Sequence, residues 1–203
     1  MPKAFSVQER ETIREQLKME ARQCLQTLGM KKTTVDELVK RVHIPKGTFY
    51  LFYASKELLF FDVLMDFHND IQADLLSGLE QKESIDTESL VCLLYSLFKR
   101  VDGSFLATMI QNRDIELLMR KLPAHIVQEH MQFDDLNMEQ FLSLLPVSID
   151  EDRIQVFSAA LRAIFLTMLH KAEIGAAVFD EALQLLLTGI VSQLLEETHD
   201  NGR

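Results

Sequence analysis

TTVDELVKRVHIPKGTFYLFYASKELL, residues 33–59, decides the fold, because three helix starts and one tight turn fall inside this single run. Thr34 and Glu37 stand in capping-box spacing, the hydroxyl serving the amide three residues on and the carboxylate reaching back, so a short helix is expected to start here. Val35, Leu38, Val39 and Val42 recur at three- and four-residue intervals and form one apolar stripe. The chain then turns through His43 and Ile44, and Pro45 suits the first turn of a second helix because its missing N–H would be unpaired there anyway. That second helix is short. Lys46, Gly47, Thr48, Phe49 and Tyr50 combine a cation, a hydroxyl and a phenol with little aliphatic bulk, a set suited to a groove. Ser55 caps a third, much longer helix, with Lys56 at its first position, where an ammonium and free backbone amides together suit a phosphate. Short helix, turn, short helix and long support is the layout of a helix-turn-helix.

Around this run the chain is expected to be all-α. It has 203 residues with only 7 Gly and 4 Pro, and no segment of any length alternates as a strand would. A second capping box, Ser6 to Glu9, opens a first helix with Ile13, Leu17, Ala21, Cys24 and Leu28 along one face, expected to end at Gly29. From Ser55 to about Leu79 the series Phe60, Leu64, Phe67, Ile71 and Leu75 continues without a breaker, so one helix joins the head to the rest. Past the polar stretch Gln81–Thr87, further helices are expected at 88–101, 104–111, 113–122, 124–143, 150–172 and 176–198, punctuated by Asp102-Gly103, Pro123, Pro146 and Gly175.

Charge divides the same way. The chain carries net −10, but residues 1–56 hold 11 Lys and Arg against 6 Asp and Glu, net +5, while the remainder holds 10 against 25, net −15. A basic head on an acidic body suits a polyanionic partner for the head alone. The expected domains are therefore 1–56, the helix-turn-helix, and 57–203, a helical body. No run approaches the roughly 18 apolar residues of a membrane helix. Residues 1–20 are charged and lack a signal-peptide core, and Cys24 and Cys92 sit inside helical apolar patterns, so a reducing cytoplasmic location is expected. His68, His125, His130, His170 and His199 have no metal-face spacing, and no HExxH, GxSxG, P-loop or GxGxxG occurs. Neither catalysis, nor a metal, nor a cofactor is expected.

Residues 33–59 resemble the DNA-binding domain of the TetR/AcrR family of bacterial regulators, whose usual string after the turn is Lys-Gly-Thr-(Phe/Leu)-Tyr, an aromatic pair and Ser-Lys-Glu. The resemblance covers about a quarter of the chain. His43 stands where the family commonly has the turn glycine, and Pro45 where it usually has Ser or Thr. The resemblance implies a sequence-specific transcriptional regulator, most simply a repressor released by a small effector. It implies DNA contacts from Thr33, Thr34, Pro45, Lys46, Gly47, Thr48, Phe49, Tyr50 and Lys56, with Thr48 and Lys46 on bases or phosphates and Tyr50 on a phosphate. Ile44, Leu51, Phe52 and Tyr53 are expected as core. The alternative is a DNA-bound regulator or co-activator whose body binds a protein partner and no small ligand.

Two features of the body bear on partners. Apolar residues occupy 179, 182, 183, 185, 186, 187, 190, 191, 194 and 195, more than one helix can hide in a monomer core, and Val156, Phe157, Leu161, Ile164, Phe165, Met168 and Leu169 form a second wide set. A homodimer through about 150–172 and 176–198 is expected, matching a palindromic operator. Six of the nine Met follow residue 60, and soft side chains line adaptable pockets as readily as they fill cores. In the family resembled, the body holds the effector. A small apolar or amphipathic effector is accordingly expected near Tyr95, Phe98, Met109, Asn112, Arg113, His130, Phe133 and Met168.

Overall fold

The computed structural model describes residues 5–80, 85–129 and 151–200, the last with side chains described at most positions. The helices are α1 (Val7–Thr27), α2 (Gly29–Lys32), α3 (Val35–Val42), α4 (Lys46–Phe49), α5 (Lys56–Glu80), α6 (Thr87–Asp102), α7 (Phe105–Gln111), α8 (Asp114–Lys121), α9 (residues 124–129), α10 (Glu151–Thr167), α11 (Lys171–Ile174) and α12 (Phe179–Asp200), with a 3₁₀ turn at Met168–His170. No strand occurs among the described residues. The chain gathers into two compact units, Met1–Asn69 with Ser104–Ala124, and Asp70–Gly103 with His125–Arg203.

In the first unit, α1 starts at the expected box. The Ser6 hydroxyl accepts from the Glu9 amide at 3.2 Å, and Glu9 Oε2 accepts from the Ser6 amide at 2.7 Å. Leu17, Ala21, Cys24 and Leu25 are buried, whereas Leu28, expected on this face, is exposed because the helix ends at Thr27. Gly29 does more than end α1. At φ +74° it takes a left-handed conformation that starts α2, a four-residue helix that periodicity could not reveal because it is barely one turn long.

Thr34 caps α3 by accepting from the Glu37 amide at 3.1 Å. The reciprocal arm of the expected box is absent, because Glu37 Oε1 accepts instead from Arg41 Nε at 2.7 Å, one helical turn on. His43 adopts φ 57°, ψ 41°, the left-handed C-cap expected where a glycine is usual. Pro45 stands just before α4 and its carbonyl accepts from the Thr48 amide at 2.8 Å. The Ser55 hydroxyl accepts from the Leu58 amide at 3.2 Å and opens α5. Leu38, Val39, Val42, Phe49, Tyr53, Leu59, Phe60 and Val63 form the core of this head with the buried face of α1.

The expected division at residues 56/57 differs from this unit. α1 and α2 pack against α7, and α2 also against α8, so residues 104–124 complete the head although some 35 residues separate them from it in sequence. Phe67 and Phe105 meet edge to face at 5.4 Å, and Lys121 Nζ donates to Glu57 Oε1 at 3.1 Å.

In the second unit, α12 packs on α6 and α10. Leu90, Leu94, Leu97 and Val101 of α6 face Phe179, Leu183, Leu187, Val191 and Leu194 of α12, a stripe of four- and three-residue steps, with Phe157, Leu161, Ile164 and Met168 beside them. Lys99 pairs with Asp180 at 2.9 Å, and Lys171 with Asp102 at 2.6 Å. The expected helix at 150–172 ends earlier as an α-helix, at Thr167, and passes through the 3₁₀ turn into α11. The expected helix at 176–198 begins at Phe179. Of the expected helix at 124–143, residues 130–143 lie outside the described residues.

Candidate nucleic-acid interface

The expected DNA-facing residues separate into exposed and buried sets. Thr34, Pro45, Lys46, Gly47 and Tyr50 are exposed on α3, the turn and α4. Of these, Thr34, Lys46 and Tyr50 line a shallow groove together with Asp36, Ser55 and Lys56. An added Cβ at Gly47 would meet nothing within 4 Å, so packing within the protein does not call for glycine there. Tyr50 is half exposed and rests edge to face on Phe49, ring centroids 5.4 Å apart, which holds the phenol outward.

Four residues of the expected set serve the protein itself. Phe49, expected among the DNA contacts, is fully buried and anchors α4 to the core. Thr48 is 9% exposed. Thr33 is fully buried, and its hydroxyl donates to the Gly29 carbonyl at 2.8 Å, so it closes α2 and presents no hydroxyl at the surface. Lys56 donates to the carbonyls of Met30 at 3.0 Å and Thr33 at 2.6 Å. Its ammonium therefore caps the C-terminal end of α2. Burial lowers the Lys56 pKa below its usual value, only partly opposed by Glu57.

The other end of α2 is capped from a distance. Asp114 is 2% exposed, and its Oδ2 accepts from the Met30 amide at 2.8 Å across 84 residues of sequence. A carboxylate at the start of α2 and an ammonium at its end match the helix dipole, and both groups are buried enough for that match to count. The linker between α1 and the helix-turn-helix is thus held by α8 and α5, a support that sequence spacing does not announce.

A second cluster fixes α1 against α5. The Tyr53 hydroxyl donates to Asp62 at 2.6 Å, and Lys18 Nζ lies 3.3 Å from Asp62 and 3.0 Å from Asp66. Burial, followed by the bond to Asp62, pushes the Tyr53 hydroxyl well above its usual range, so it stays a neutral donor. Burial alone would lower Lys18, but Asp66 and Asp62 raise it above its usual value. Leu51, expected as core, is 60% exposed beside Tyr50, because the chain leaves α4 in a turn before Phe52 and Tyr53 reach inward. Asp36, exposed on the groove and paired with Lys46 at 2.9 Å, was absent from the expected set; its place in the first turn of α3, one residue past Val35, was the signal for it.

The expected effector residues fall in different places. Met109 is fully buried in the core of the first unit, where Asn112 and Arg113 are exposed at the α7–α8 junction, Arg113 at φ 56°. Tyr95, Phe98 and Met168 belong to the second unit. Phe98 packs against Phe165 with centroids 6.4 Å apart, and Met168 is buried. His130 and Phe133 lie outside the described residues. No group of three or more potential metal ligands occurs among the described residues, and none of their helices is long and apolar enough to cross a membrane.

Residues 20–63 match the model of bacterial regulatory proteins of the tetR family. The HTH-type transcriptional repressor DhaR of Mycobacterium sp. (strain GP1) is 27% identical over 108 residues, 53% of this chain and 54% of that protein, so the chain spans about half the length of the curated relative it matches. A putative TetR-family regulator of Mesorhizobium loti MAFF303099 superposes with TM-score 0.67 at 14% identity, over 92% of this chain and 96% of that one. FadR of Thermus thermophilus, a TetR-family repressor in complex with lauroyl-CoA, superposes with TM-score 0.55 at 22% identity, over 90% and 93%. The helix-turn-helix with its left-handed His43 turn and the matched residues 20–63 lead to one conclusion: the head of this chain carries a DNA-binding domain of the tetR type, on an all-helical fold that solved TetR-family structures share along nearly the whole chain.

Proposed function

We propose that the protein is a sequence-specific DNA-binding repressor, acting in the cytoplasm as a homodimer on a palindromic operator and released by a small apolar or amphipathic effector. The observation that carries this reading is the exposed face of α3 and α4, where Thr34, Lys46, Gly47 and Tyr50 are all exposed in a segment, residues 1–56, with net +5. Thr34 and Tyr50 hold phosphates through their hydroxyls, Gly47 admits the DNA backbone, and Lys46 serves a phosphate or a base edge. Pro45 contributes only van der Waals contact. Phe49, Thr33 and Lys56 act beneath this face by setting its angle. Residues 1–56 carry the DNA contacts, and residues 57–203 serve effector and dimer.

Dimerisation is supported by apolar side chains left uncovered on the last helices. Leu185 is 75% exposed, and Leu186, Val178, Val156 and Leu166 are also exposed. Such residues belong in a seam between two copies rather than in water. α5 is one continuous helix with its first part in one unit and its second in the other, the natural carrier of an effector's influence to the head. By linkage, a tenfold loss of operator binding requires an effector that discriminates between two conformations by about 1.4 kcal/mol. Lauroyl-CoA, which FadR of Thermus thermophilus binds, represents the class of amphipathic acyl ligand to screen first.

The test is enrichment of a random duplex library on the full-length protein, together with binding to the DNA immediately upstream of its own coding sequence, against scrambled competitor at two salt concentrations. Competitor-resistant binding of a palindromic sequence is the expected result. Equal binding of enriched and scrambled duplexes would refute the reading.

A further inference from the structure

The charge of the head does not reach its own groove. Both lysines on the groove are occupied from within: Lys56 by two backbone carbonyls, and Lys46 by Asp36 Oδ2 at 2.9 Å. Of the groove's carboxylates, Glu57 is paired with Lys121, which leaves Asp36 as the acid facing outward beside Lys46. The Asp36 and Lys46 side chains are 71% and 52% exposed, so the pair lies in the path of any duplex that approaches Thr34 and Tyr50. It joins the first turn of α3 to the first turn of α4, the two short helices on either side of the His43 turn.

We infer that Asp36 is a specificity-determining residue: it holds Lys46 in an internal ion pair that opens on DNA, and the freed carboxylate then accepts a hydrogen bond from a base amino group. This rests on the DNA-binding reading above. When Lys46 turns to a phosphate, Asp36 is left as an acceptor with no donor of its own. Phosphate oxygens, guanine O6 and N7, and thymine O4 are all acceptors and repel it. Cytosine N4 and adenine N6 carry the amino groups that satisfy it in the major groove. Non-specific DNA therefore bears an uncompensated carboxylate, and a site with the amino group in register does not. The other polar groups near the pair are Thr34, Tyr50 and Glu37, with Ser55, Lys56 and Glu57 across the groove and Lys40 one turn on along α3. Thr34, Tyr50 and Ser55 are neutral, Glu37 and Glu57 are paired with Arg41 and Lys121, and Lys56 is held by two backbone carbonyls, while Lys40 makes no ion pair with Asp36.

The experiment is a double-mutant cycle with the full chain: wild type, Asp36→Asn, Lys46→Ala and the double variant, each titrated with the enriched duplex and its scrambled counterpart between about 50 and 200 mM salt. Asp36→Asn keeps shape and removes charge. It should bind scrambled DNA about fivefold tighter, with the enriched-to-scrambled ratio falling by a similar factor. Its log–log salt slope should steepen by about one phosphate equivalent. Lys46→Ala should weaken scrambled binding more in the Asp36→Asn background than in wild type. Melting curves of all four proteins establish that they are folded at the assay temperature. An unchanged specificity ratio together with additive effects would overturn the inference while leaving the DNA-binding reading intact. Failure of the wild type to enrich any sequence would remove both.

Discussion

Replacing Asp114 by alanine removes a carboxylate that the first unit buries at 2% exposure, and leaves the Met30 amide without its acceptor. The loss can be worked from the contact. A buried hydrogen bond to a charged group contributes about 1.5–3 kcal/mol net, and its removal also strands the partner N–H. The short α2 makes the loss harder to recover, since a four-residue helix has no neighbouring turn to offer a substitute acceptor. A cost of about 2–3 kcal/mol follows, or a fall of roughly 4–12 °C in the melting temperature of a chain this size. Asp114→Asn retains an acceptor without the charge that balances Lys56 and should cost about half as much. The assays are thermal unfolding by circular dichroism and hydrogen exchange at the Met30 amide, whose protection should drop in the alanine variant first. If Asp114→Ala melts within a degree or two of wild type with Met30 still protected, the view that α8 holds α2 is wrong.

Gly29→Ala should destabilise the same junction by about 1–3 kcal/mol, because φ is +74° and the new Cβ would lie 3.1 Å from Asn112 Nδ2 and 3.2 Å from Asp114 Oδ2; chemical denaturation reads it directly. Burial alone would raise the Glu57 carboxyl, but the Lys121 hydrogen bond, its own backbone amide and two lysine charges hold it below the ordinary 4.5. A carboxyl lowered on folding stabilises the folded state fully above its unfolded value and loses that contribution as pH falls through the folded value. Glu57→Gln should therefore flatten the acid-side decline in stability below about pH 4.5, measured by urea unfolding at stepped pH. Leu185→Glu should convert a dimer to monomer in sedimentation experiments while leaving the monomer's helicity intact, since that side chain is 75% exposed in the single chain. Tyr50→Phe should weaken binding to enriched and scrambled duplexes alike, because a phosphate contact carries no base information; a change in sequence preference would reassign Tyr50 to a base.

Local chemistry made much of the head legible. Ser6 with Glu9, Thr34, His43 and Ser55 act through partners within five residues, so their caps and turn could be read from spacing alone. The same holds for the stripes of α6 and α12, whose period is a property of the helix itself. What spacing could not decide was which of several chemically suitable side chains face solvent. Thr33 and Thr34 are adjacent hydroxyls, yet one is buried against Gly29 and the other exposed, because a helix end turns between them. Lys56 reads as a phosphate anchor until the carbonyls of α2 are placed above it. Asp114 reads as an ordinary first-turn acid until the chain returns after 84 residues to the start of α2. Capping patterns, helical periodicity and the distribution of charge are set by neighbours along the chain, and the sequence by itself determined them. The completion of the head by residues 104–124, the occupation of Lys46 and Lys56 from within, and the outward place of Asp36 depend on which distant groups meet, and only the tertiary structure decided those.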